Sequence, residues 1–89
     1  MEVIELDVST LPAPEPFDVI MQALVEMNED QYLKVSHRKQ PLLLYKPLEE
    51  NNFDYHVQQG QLQAYDIFIW YKSAKTPAEL VMPPLAASR

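Results

Sequence analysis

The chain has 89 residues, no cysteine, and seven basic against thirteen acidic side chains for a net charge of −6. That size predicts one small domain, burying about 60% of the surface its unfolded chain exposes, and the missing thiols exclude disulfides, thiolate zinc sites and thiol chemistry. The acidic balance opposes a phosphate backbone at long range, so no nucleic-acid partner is expected. With no apolar run near the ~18 residues of a membrane span and no basic-then-apolar leader, no membrane partner is expected either and the cytoplasm is the expected location.

Residues 2–8 alternate Ile4, Leu6 and Val8 with Glu5 and Asp7, which predicts a half-buried strand. The stretch LPAPEP at 11–16 follows. Pro16 suits a first helical position, where a missing N–H has no partner to lose, and Asp18 suits a first turn. Phe17, Ile20, Met21, Leu24, Val25 and Met27 then recur at helical spacing to about Asn28. A polar break at 28–30 leads to a second strand over 31–37, with Leu33 and Val35 on one face and Tyr32, Lys34 and Ser36 on the other.

A second helix is predicted from near Pro41, carrying Leu42, Leu43, Leu44, Tyr45 and Leu48 to about Asn51. Pro47 interrupts it, because an interior proline loses a hydrogen bond and clashes with the preceding turn. Either the helix kinks there, or a short turn at 41–44 leads into a helix restarting around Pro47. Phe53, Tyr55 and Val57 alternate with Asp54, His56 and Gln58 as a third strand. Gly60 marks a turn, and 65–72 forms the antiparallel fourth strand. The last segment, 74–89, holds three of the eight prolines. Its TPAE (76–79) has capping-box form, but Pro83 and Pro84 stop any helix, so a flexible tail is expected after a domain of residues 1–73.

The order strand, helix, strand, helix, strand, strand predicts an α+β fold. A parallel pair joined by a right-handed crossover and a closing hairpin form a four-stranded mixed sheet with both helices on one face.

LDVSTLPAPEPF (6–17) resembles the start of TusA/SirA-type sulfur carriers, in which Leu-Asp and then Cys-Pro-x-Pro lead into the first helix. LPAPEP followed by ALVEM (23–27) and PLLLY (41–45) more closely resembles the domain of unknown function 2249 family, over roughly residues 4–72. The resemblance implies a TusA-like two-layer sandwich, βαβαββ, with sheet order 1-2-4-3 and the fourth strand antiparallel. The carriers hold a persulfide on the cysteine of Cys-Pro-x-Pro. Here that position is Ala13, with Pro14, Glu15 and Pro16 retained. A methyl group can neither attack nor carry sulfur, so the chain is not a persulfide carrier.

No catalytic set emerges. His37 and His56 are the only imidazoles and lack metal-binding spacing, so no metal site is expected and both read as surface residues. Ser9, Ser36, Ser73 and Ser88 lack a Gly-x-Ser-x-Gly setting. One glycine cannot build a phosphate-cradling loop. No cofactor or enzymatic activity is expected.

Two surfaces remain as candidates. HRK (37–39) follows the second strand as LPAPEP follows the first, so both leave the carboxyl edge of the sheet, where open sheets bind ligands. Ala13, Glu15, Phe17, His37, Arg38 and Lys39 are the candidate site there for a small anion or metabolite. The alternative is a solvated loop in which Arg38 and Lys39 offset Glu15. The second surface is the sheet face away from the helices, where Tyr32, Lys34, Phe68 and Trp70 fall together. Aromatics there suit a protein partner or homodimer. They also suit a tail folded back through Leu80, Val81, Met82 and Leu85. Bases can stack on such a face, although Asp54 and Asp66 flank it. The expected function is a non-enzymatic interaction or accessory module using the open face, the alternative a small-anion or metabolite-binding protein at the loop edge.

Overall fold

The computed structural model describes residues 2–12, 14–60, 64–74 and 76–77. Strand β1 spans Glu2–Asp7, helix α1 Glu15–Glu26 and strand β2 Gln31–His37. A 3₁₀ turn over Leu42–Leu44 runs into helix α2, Tyr45–Glu50, and strands β3, Phe53–Gln59, and β4, Tyr65–Tyr71, complete the chain of elements. The sheet order is β1-β2-β4-β3, with β1 and β2 parallel and β4 antiparallel to both neighbours. This is the topology the sequence pattern and its family resemblance predict.

Register decides the faces. Leu33 pairs with Ile4 and Ile69, and Val35 with Leu6 and Ile67, so these side chains share one side of the pleat. Ile20 and Leu24 of α1, with Leu44 and Leu48 around α2, pack on that side and close the main core. Each large aliphatic side chain buried there contributes about 1.5–3 kcal/mol.

Local chemistry fixes the ends of the elements. Pro14 and Pro16 set the backbone at the start of α1, with Glu15 and Asp18 in its first turn. The helix ends at Glu26, earlier than the apolar spacing suggests, because Met27 turns to extended backbone and donates its N–H to the Leu24 carbonyl. The Asn28 side chain then accepts the Asp30 N–H at 2.9 Å, and the Gln31 side chain accepts the Asn28 N–H at 3.0 Å. The chain reverses there into β2.

Pro47 causes no kink. The 3₁₀ turn absorbs the first leucines, and α2 restarts at Tyr45, which puts Pro47 in the first turn, where N–H groups lack intrahelical partners. Asn52, with a left-handed φ of 65°, ends the turn after α2. The Tyr45 and Tyr55 rings stack at 4.9 Å, and the Tyr55 hydroxyl donates to Glu49 at 2.8 Å, clamping α2 to β3. The Tyr71 hydroxyl donates to the Met27 carbonyl at 2.8 Å, tying β4 to the end of α1. Of the tail expected over 74–89, residue 75 and residues from 78 onward lie outside the described residues. Pro77, at its start, is fully buried.

Ile69→Ala is expected to lower stability by about 2–5 kcal/mol, since it empties a fully buried central-strand position. Val25→Ala, on the exposed side of α1, should change it by no more than about 0.5 kcal/mol. Chemical denaturation of the two variants measures both.

Candidate functional site

The parallel pairing of β1 and β2 brings two loops to one edge. After β1, Asp7 accepts both the backbone N–H and the hydroxyl of Ser9, at 2.9 and 2.6 Å, and the Leu11 N–H returns to the Val8 carbonyl. These bonds hold Asp7 charged and pull its carboxyl below the ordinary value, the side-chain bond most. The chain then enters α1 through its prolines. After β2, Arg38 to Gln40 turn the chain into Pro41 and the 3₁₀ turn.

Between these segments lies a cleft of about 560 Å³. Pro14, Pro16, Phe17 and Ile20 form one wall from the start of α1. Pro41 and Leu42–Leu44 form the other. Both walls are apolar, and their prolines have no N–H to offer a ligand. His37, Lys39 and Gln40 supply the polar part of the lining, all from one short stretch of chain. Phe17, Leu42 and Leu43 are exposed, the last two at 67% and 86%, so the apolar character continues to the rim.

Of the loop-edge residues singled out from the sequence, Phe17, His37 and Lys39 line this cleft, whereas Glu15 and Arg38 are exposed outside it. Ala13 lies outside the described residues. Most of the apolar lining was not anticipated, because the leucine run reads as helix core. A 3₁₀ turn has three residues per turn, so three consecutive leucines point in three directions. Only Leu44 is buried.

The Nδ1 atom of His37 accepts the Lys39 N–H at 3.0 Å. Partial burial, and then the neighbouring Arg38 charge, push the His37 pKa below its ordinary value. With Nδ1 accepting, the neutral ring carries its proton on Nε2. His56 lies elsewhere, on β3 opposite Phe68, whose ring centroid is 6.4 Å away, and on the far side of the sheet. The two imidazoles therefore do not converge. Among the described residues no three metal-ligating side chains come together.

The other candidate surface is covered. Tyr32, Phe68 and Trp70 form a second cluster on the face away from the helices, at 7%, 1% and 5% exposure. The Lys34 ammonium sits 5.6 Å above the Phe68 ring. These rings are buried within one chain rather than displayed as a patch. Leu80, Val81, Met82 and Leu85, the tail residues considered as a cover, lie outside the described residues.

The match to known proteins follows this architecture. Residues 5–71 fit the family model described as "Uncharacterized conserved protein (DUF2249)", and the chain belongs to that family. No curated protein and no solved structure matches it. Among the described residues, no helix is long and apolar enough to cross a membrane.

The His37 shift has a measurable sign. Its folded-state pKa is lowered, so its contribution to stability is fully present above pH 6.5 and is lost as the pH falls through the folded value. An NMR titration should place the His37 midpoint below 6.5, and denaturation midpoints should fall across the same interval.

Proposed function

We propose that this protein is a non-enzymatic binding module of TusA-like fold, which takes the apolar body of a small metabolite into the cleft at the carboxyl edge of its sheet. The cleft itself carries the reading: its volume of about 560 Å³ falls within the roughly 300–1,000 Å³ of small-molecule sites, which are concave, mainly apolar and furnished with a few polar groups. A bare inorganic anion is a poor fit to walls made of proline, leucine and phenylalanine. The TusA-like assignment is supported by the sheet order and by the proline loop that opens α1. Sulfur carriage is not part of the proposal, since the chain has no thiol. The face carrying Phe68 and Trp70 is the weaker candidate, because both rings are already buried in the single chain.

Anilinonaphthalene sulfonate, an apolar double ring with an anionic group, tests the site. It should bind with a saturable rise in fluorescence and shift amides in the 14–20 and 37–44 segments. Leu43→Asp, at an exposed rim position, should weaken binding by about ten-fold, the equivalent of ~1.4 kcal/mol, without changing the fold. Shifts confined to strands around Trp70 would move the site to the other face.

A further inference from the structure

The cleft is polar at one end only. Its walls come from the start of α1 and from Pro41 to Leu44, while the polar lining residues His37, Lys39 and Gln40 come from one short stretch of chain, where the Lys39 N–H donates to His37 Nδ1. A ligand that fills such a space has an apolar body and a single polar head. The charge of that head follows from the lining. Among the described residues Lys39 is the only charged one in the lining; Glu15 and Asp18, in the first turn of α1, are not part of it. His37 spends its Nδ1 lone pair on the Lys39 N–H, which leaves Nε2–H as the donor of the neutral ring. HRK is the one basic cluster in a chain of net charge −6, and it adjoins this end of the cleft.

An ammonium head would meet Lys39 and find no carboxylate. A hydroxyl head would gain a neutral hydrogen bond alone. A carboxylate offers two acceptor oxygens to an ammonium and an imidazole N–H, and charge-assisted bonds of this kind are roughly twice as strong as neutral ones. We infer that the ligand of this cleft is a free aliphatic or aromatic monocarboxylate, its body between Phe17 and Leu42–Leu44 and its head at His37 and Lys39. This inference rests on the binding reading above and adds the chemical class of the ligand.

Octanoate, octanol and octylamine share one body and differ in the head, so titrating each into the full chain near neutral pH, with NMR detection, separates the possibilities. Octanoate should bind about ten-fold more tightly than octanol, with octylamine weakest. Lys39→Gln should reduce that advantage to about two-fold, weakening octanoate far more than octanol. Arg38→Gln, outside the cleft lining, serves as the charge control and should leave the octanoate advantage largely in place. Equal affinity for octanoate and octanol overturns the carboxylate assignment but leaves the binding module standing. So does a Lys39→Gln effect that falls equally on both. Failure of all three compounds to shift any amide of the cleft overturns the binding module as well. Tighter binding of a leucine-ended peptide with a free C-terminus than of octanoate would overturn the free-acid assignment in favour of a protein terminus.

Discussion

Strand β4 is buried on both faces, and covering both is the constraint on which the rest of the chain depends. Ile67 and Ile69 lie beneath the helices, while Phe68 and Trp70 are buried on the opposite side. A strand of this kind must be internal, with β2 and β3 paired to its two edges. Each of these side chains is worth about 1.5–3 kcal/mol when buried, against a total stability of about 5–15 kcal/mol for a domain. Neither face of β4 can be given up. A chain of 89 residues with no disulfide has few other reserves.

That central placement puts β1 at the edge of the sheet order, where it pairs with β2 and runs parallel to it. A parallel pair needs a crossover, and α1 supplies it. The two strands consequently release their chains on one side, and the loops that follow must turn into helices close to each other. The cleft is the space left between those two turns. Its composition suits an apolar occupant for a simple reason. The turns are built with Pro14, Pro16 and Pro41, residues that fix φ and carry no N–H. At those three positions the walls offer a ligand no backbone donor.

The loop that opens α1 owes its shape to its prolines. Pro14 and Pro16 restrict the backbone where the chain enters α1. With alanine at position 13 and no cysteine anywhere, the chain has no thiol with which to carry sulfur. The turn still positions Phe17 and Ile20 against the leucine turn.

Much of the architecture was legible in the residues. Period-two alternation placed Leu33 and Val35 on one face and Tyr32, Phe68 and Trp70 on the other, because strand side chains alternate whatever the tertiary setting. The prolines marked the start of α1 by the same local logic. The sequence also decided the absence of thiol chemistry without help from the fold. Tertiary structure alone decided that Leu42 and Leu43 stand exposed at the cleft while Leu44, in the same wall, is buried in the core, because a 3₁₀ turn precedes α2 and leaves Pro47 in a first helical turn. It alone separated His37 from His56 across the sheet, set Lys39 in the cleft and Arg38 outside it, and buried Trp70 within the chain. Periodicity is a property of neighbours along the chain. A cleft depends on the distances between segments that are far apart in it, and those are fixed only when the whole sheet is paired.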